Sequence, residues 1–273
     1  MRQYRFGPLF TPPSIRADGV LGTLQLPGNQ GSALWQGAAW DPETNMLYVP
    51  SVSNMTVQAL QPGGTRSDMT YIGGAGGGGE VAQGGRGAGA AAAAGRASGP
   101  APQAAPTNAG PQFGRAGGPM NLGPGVSRGP WGIGPQGLPL IKPPYGRITA
   151  YNMNTGDIVW QVANGDSYDW IKNHPALKGM NIPRTGRADE GGIVVTKTLM
   201  FAGQGCGLFR SGAGGSQMFY AYDKATGAVV HEMELPGGTC GNPMTYAING
   251  KQFIAVSVGS RTTTAEIVAL ALP

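Results

Sequence analysis

Along this chain apolar residues alternate with polar ones in short runs, and the runs are broken by Gly, Pro, Asn and Asp. That is the period of strands joined by tight turns rather than of helices. Two stretches repeat one another. The first is Ala150-Tyr151-Asn152-Met153-Asn154-Thr155-Gly156-Asp157-Ile158-Val159-Trp160, and the second is Ala221-Tyr222-Asp223-Lys224-Ala225-Thr226-Gly227-Ala228-Val229-Val230-His231. Each reads as an alternating strand, a polar turn closed by Thr-Gly, and a second strand. In such a turn Asn or Asp bonds the local backbone, and Gly takes positive φ without steric cost. Trp160 closes the first copy, where its ring can pack over the turn of a neighbouring unit. A hairpin that recurs in this way predicts radial repetition of antiparallel sheets, that is, an all-β propeller.

The remaining strands follow from the same pattern. Ala38 to Asp41 and Leu47 to Pro50 flank an Asp-Pro-Glu-Thr-Asn turn, a strong hairpin signal. Residues 192–236 read as one whole blade, with strands at 193–196, 199–202, 218–222 and 229–235. A last hairpin pairs 244–248 with 252–256 across Asn249-Gly250, and a closing strand spans 266–272. This amounts to about three four-stranded antiparallel blades, too few to close a ring, which takes roughly four to eight. A short helix is expected near His174 to Lys178, with Pro175 at an early helical position.

Composition divides the chain further. Gly, Ala and Pro make up 40 of the 58 residues from 73 to 130, which leaves little apolar surface to offset ordering entropy. Residues 73–130 are therefore read as a low-complexity disordered insertion, 1–72 as a propeller blade segment, and 131–273 as further blades of the same domain. Four arginines against one glutamate in the insertion account for +3 of the formal net charge of +5. With Phe113 its only aromatic and its arginines irregularly spaced, the stretch is poor evidence for nucleic-acid binding. No run reaches the roughly 20 apolar residues of a membrane span, and the first residues lack the apolar stretch of a secretory signal.

In a four-stranded meander the loop between second and third strands emerges on the same rim as the link to the next blade. That rim would gather residues 32–36, 164–190, 203–215, 237–243 and 259–261. These connections are long and chemically varied, and loops on a rigid scaffold carry function. Cys206 and Cys240 fall on that rim in loops flanking one blade, so a disulfide is conceivable; its geometry is not legible in sequence. Trp40 and Trp160 read as packing residues, Asp189 and Glu190 as solvated, and the two histidines as a weak metal case.

Several motifs in order carry a family resemblance: Pro8-Leu9-Phe10-Thr11-Pro12-Pro13-Ser14, Leu26-Pro27-Gly28, Leu34-Trp35, Trp40-Asp41-Pro42-Glu43-Thr44, and Gly238-Thr239-Cys240-Gly241-Asn242-Pro243-Met244-Thr245-Tyr246. Together they resemble the PQQ-dependent quinoprotein dehydrogenases, nearest the glucose-dehydrogenase-like branch, over the C-terminal half of that family. The repeated hairpins are similar to its tryptophan-docking motifs, with His231 where the second tryptophan would stand. The resemblance implies an eight-bladed propeller holding pyrroloquinoline quinone beside Ca²⁺. It implies oxidation of an alcohol or sugar in the periplasm by hydride transfer, with a quinone or cytochrome as electron acceptor. The family's catalytic aspartate and Ca²⁺ ligands come from the half that this chain does not match, so no catalytic residue or metal ligand is assigned.

Two family cofactor contacts fall within the match. One is an Asn-Trp pair, here Leu34-Trp35, in which Trp35 carries over and the amide does not. The other is a Gly-Trp-Gly loop, here Gly259-Ser260-Arg261, where Arg261 could pair with a quinone carboxylate. Cofactor binding is thus expected at Trp35 and Arg261. Two rivals are a non-catalytic propeller of the same repeats that acts as an assembly scaffold, and a Gly/Arg-rich nucleic-acid binder.

Overall fold

The computed structural model describes residues 4–16, 19–28, 31–33, 35–53, 55–75, 134–188, 191–205, 216–239, 241–259 and 264–271. Most of the 73–130 insertion lies outside these residues, as do Leu34, Asp189, Glu190, Cys206, Cys240 and Arg261, so the expectations placed on them are not addressed by the fold.

The strands run β1 (Tyr4–Arg5), β2 (Ser14–Ile15), β3 (Gly22–Gln25), β4 (Ala39–Asp41), β5 (Met46–Val52), β6 (Thr56–Pro62), β7 (Tyr71–Ala75), β8 (Gly146–Asn152) and β9 (Ile158–Ala163). They continue as β10 (Ile193–Val195), β11 (Leu199–Gly203), β12 (Met218–Asp223), β13 (Val229–Glu234), β14 (Gly238–Thr239), β15 (Met244–Ile248), β16 (Lys251–Gly259) and β17 (Glu266–Ala271). Among the described residues there is one α-helix, the short α1 (Asp169–Lys172).

Three of the sheets are blades. The first is β4-β5-β8-β9 and the second β10-β11-β12-β13, each antiparallel throughout. In the third, β16 pairs β14 and β15 along one edge and β17 along the other. Both copies of the repeated hairpin form as expected and share a detail: the ladder slips between Ala150 and Tyr151 in β8 and between Ala221 and Tyr222 in β12. The Asn249-Gly250 turn takes positive φ at both residues, the backbone that a two-residue hairpin requires.

Period-two alternation explains why the second blade is so apolar. Ile193, Met200, Ala202, Tyr220 and Tyr222 point toward the first blade, where they meet Tyr48, Ile148 and Ala150 in one core. The alternate residues Val194, Phe201 and Phe219 point the other way, against Ile254, Val256 and Val258 of the third blade. A sheet covered on both faces reads as an unbroken hydrophobic run, as in β12. The sheets are therefore stacked face to face, and β4 and β10, the first strands of two successive blades, lie against each other.

Polar pins lock the first two blades together. Trp160 Nε1 and Tyr48 Oη both donate to the Lys224 carbonyl, at 3.2 and 3.0 Å. The Trp160 ring lies over Gly227 of the second Thr-Gly turn; a Cβ there would sit 2.9 Å from ring atom Cε3, and φ is +73°. The repeat is thus a docking device in which one blade's tryptophan seats on the next blade's turn. Lys224 Nζ, in turn, reaches Asp41 Oδ2 at 2.6 Å, with both side chains nearly enclosed. Burial raises the Asp41 pKa, but hydrogen bonds from Lys224, Thr44 and the Glu43 amide outweigh it and hold the carboxyl below its usual range. Burial, helped by the Asp41 and Asp223 carboxylates, pushes the Tyr48 phenol up to about 12, so it remains a hydrogen-bond donor.

The structure departs from the sequence reading in four places. Trp40 is not a packing residue: it is 58% exposed and its Nε1 donates to Asn45 Oδ1 at 3.1 Å. Only β4 and β5 of residues 1–72 enter a blade. The others, β1, β2, β3, β6 and β7, form a five-stranded mixed sheet with parallel β1–β3 and β2–β6 pairs, and β7 runs past residue 72 to Ala75. Parallel pairing joins segments distant in sequence, which a scan for hairpins cannot register. Gly238-Thr239, expected in a loop, is a strand because Thr239 pairs with both Val258 and Gly205. Ahead of the expected helical turn, found as a 3₁₀ turn at Pro175–Leu177, stands α1.

Candidate cofactor-binding rim

The segments leading into β4, β10 and β15, one from each blade, meet at one point of the rim singled out from the sequence. Asn242, just before β15, donates from Nδ2 to the carbonyl of Gln36, just before β4, at 3.0 Å. Gly192, just before β10, lies against Asn242: a Cβ on Gly192 would stand 1.9 Å from Asn242 Oδ1 and 2.6 Å from its Cα. Backbone approach this close admits only glycine. The neighbouring Gly191 passes Gly203 in the same way, with 2.1 Å from its ideal Cβ to the Gly203 carbonyl oxygen.

Beneath this point the rim is closed by hydrogen bonds between blades. The Gln204 carbonyl accepts from Thr239 N at 3.0 Å and Thr239 Oγ1 at 2.7 Å. Gln204 Nε2 donates to the Asn164 carbonyl at 3.4 Å, and Tyr222 Oη donates to Asn164 Oδ1 at 3.1 Å. Gln204 Oε1 is buried without a partner, an unmet acceptor under the rim.

The 164–188 connection is ordered by its own small core, in which Tyr168, Ile171 and Ala188 pack with Val52 and Tyr145. Arg187 lies 4.6 Å over the Tyr168 ring, and Arg184 pairs with Glu232 at 2.7 Å. Lys172 bonds Asp166 at 2.7 Å. Burial raises the Asp166 pKa, but the Lys172 and Ser167 hydrogen bonds and the Lys172 and Arg184 charges carry it below the ordinary carboxylate range. His174 is buried and doubly bonded: Nδ1 accepts from Ala176 N at 3.2 Å, so Nε2 carries the proton and donates to the Gln136 carbonyl at 3.1 Å. It is a structural clamp, and His231 is an exposed residue of β13.

Of the two residues expected to touch a cofactor, Trp35 is found on this rim beside Gln36, 71% exposed. No hydrogen bond holds its ring among the described residues. Arg261 lies outside the described residues. The exposed indole is a flat apolar surface next in sequence to the polar Gln36–Asn242 pair, residue types that could line one side of a planar, polar-rimmed ring. For Ca²⁺ the described residues offer no group of three or more His, Cys, Asp or Glu side chains. Sequence reasoning had missed Asn242 and Gly192. An Asn-Pro pair and a Gly-Gly pair before strands were visible signals, but their partners lie in other blades.

Face-to-face antiparallel sheets whose first strands converge at a rim define a β-propeller protein. The family described as "PQQ: Glucose/ethanol/alcohol dehydrogenase, beta-propeller domain" matches residues 1–116 and 118–254, and the chain belongs to it. It is similar to the quinoprotein glucose dehydrogenase of Escherichia coli, 27% identical over 281 residues, which cover 99% of this chain and 29% of that protein. The glycerol dehydrogenase large subunit of Gluconobacter thailandicus is 38% identical over 125 residues, 45% of this chain and 15% of that subunit. The solved quinohemoprotein alcohol dehydrogenase of Comamonas testosteroni superposes with a TM-score of 0.47 at 16% identity, over 91% of this chain and 27% of that one. The chain thus spans under a third of the relatives it matches along its whole length.

Proposed function

We propose that this chain is part of a quinoprotein dehydrogenase that oxidises an alcohol or sugar by hydride transfer to pyrroloquinoline quinone, and that its rim forms one wall of the cofactor site. The observation that carries the reading is the convergence of Gln36, Gly192 and Asn242 beside an unpartnered, solvent-facing Trp35. Membership of the family supports the same assignment. When bound, the quinone supplies a two-electron acceptor for the substrate's hydride. The chain's own contribution is to bind and orient: Trp35 offers its face to the ring plane and shields that side from water. Arg261, proposed from sequence, pairs its guanidinium fork with a carboxylate of the cofactor. Ca²⁺ would be held by residues outside this chain, in the part of the family that it does not match, and an electron acceptor, quinone or cytochrome, would reoxidise the cofactor. We place the activity in the periplasm on the same family grounds.

The test is a titration with pyrroloquinoline quinone and Ca²⁺ followed by tryptophan fluorescence, on the chain and on its Trp35→Ala and Arg261→Ala variants. Saturable quenching that Trp35→Ala removes and Arg261→Ala weakens is the expected result. Quenching that survives Trp35→Ala with unchanged Kd would take the cofactor away from this rim.

A further inference from the structure

We propose that Asn242 is a positioning residue for the cofactor-facing ring of Trp35; the inference rests on the reading that Trp35 lines the cofactor site. With no hydrogen bond to its ring among the described residues, Trp35 is aimed by its backbone. That backbone is tied on one side within its own blade, where Ser32 Oγ donates to the Val52 carbonyl at 2.7 Å and Val52 N donates to the Ser32 carbonyl at 3.0 Å. On the other side the tie comes from a different blade: Asn242 Nδ2 on the Gln36 carbonyl. The residue next to the tryptophan is therefore held by a side chain 206 positions away in sequence.

Asn242 is solvent-exposed, and two neighbours restrict where its amide stands. Gly192 approaches its Cα and Oδ1 so closely that no Cβ would fit between them, so the second blade limits the positions open to it. Pro243 follows it, is buried, and restricts the backbone conformation available to Asn242. Its one donor-bearing nitrogen is what the Gln36 carbonyl needs. An aspartate of the same shape offers acceptors only and would turn a carboxylate against that carbonyl. The rim thus links three blades through one amide, and the pose of the indole relative to the third blade depends on it.

The experiment is ¹⁹F NMR of the full chain labelled with 5-fluorotryptophan, which carries five tryptophans. Trp35→Phe assigns the Trp35 line, and Asn242→Asp and Asn242→Ala are compared with it. Both should shift and narrow the Trp35 line, as the already exposed indole gains motional freedom, while the other lines stay in place. Loss of one such hydrogen bond should also raise the Kd for pyrroloquinoline quinone by roughly two- to tenfold. An unmoved Trp35 line in both variants overturns the proposal. Should Asn242→Ala disturb every line, the near-isosteric Asn242→Asp decides, since it keeps the volume and removes the donor. Adding the quinone to the wild-type chain separates the two readings. A Trp35 line that does not respond refutes the cofactor site and with it the role given to Asn242, even where the coupling between the two residues is seen.

Discussion

Replacing Lys224 with Met tests whether the buried ion pair between the first two blades holds them together. The Asp41 and Lys224 side chains are 4% and 10% exposed, and the 2.6 Å contact is supplemented by Thr44 Oγ1 and the Glu43 amide on Asp41 and by the Thr196 carbonyl on Lys224. Lys224→Met leaves the carboxylate enclosed with its two remaining donors but no counter-charge, and removing one partner of a buried pair costs about 3–5 kcal/mol. The carbonyl of residue 224 still receives Tyr48 and Trp160, so the blade contact itself persists. Urea midpoints of wild type, Asp41→Asn, Lys224→Met and the double variant complete a cycle. The double variant should be less destabilised than the sum of the singles, because it removes both charges together. The pH dependence has a definite sign. A carboxyl held below its unfolded value contributes stability that is present above about 3.8 and is lost as pH falls through the folded value. The gap between wild type and Lys224→Met should therefore be full at neutral pH and shrink below pH 4. A cost under about 0.5 kcal/mol, flat in pH, would mean that the pair behaves like a surface one and that the reasoning is wrong.

The two Thr-Gly turns provide an internal comparison. Gly227→Ala meets both the positive φ and the Trp160 ring, whereas Gly156→Ala meets the positive φ (+80°) with open space around it. By thermal melting the first should lose about 2–4 kcal/mol and the second about 1 kcal/mol; equal losses would remove the docking contact. Gly192→Ala should abolish saturable quinone binding in the fluorescence titration, since its Cβ strikes Asn242 backbone, and retained binding would show that the rim can relax. Glu232→Ala breaks the half-exposed pair with Arg184 and should cost less than about 1 kcal/mol in the same melts.

Much of this protein was legible in local pattern. Alternation, Thr-Gly and Asn-Gly turns and the duplicated hairpin determine the strands of the three blades other than β14, because strand period and turn chemistry are properties of neighbouring residues. The duplication also foretold that Trp160 would seat on a neighbouring turn, and the Trp35 segment followed from motif order. What tertiary structure alone decided is everything joined across blades: Lys224 reaching Asp41, Asn242 reaching Gln36, and the parallel pairs that gather β1, β2 and β3 onto β6. Trp40 and Trp160 look alike in sequence, each at a strand's alternating position, yet one faces solvent and the other a neighbouring turn. The difference arises because a blade's outward direction exists only once the sheets are stacked. Nothing within a strand's own residues specifies what will lie against its second face.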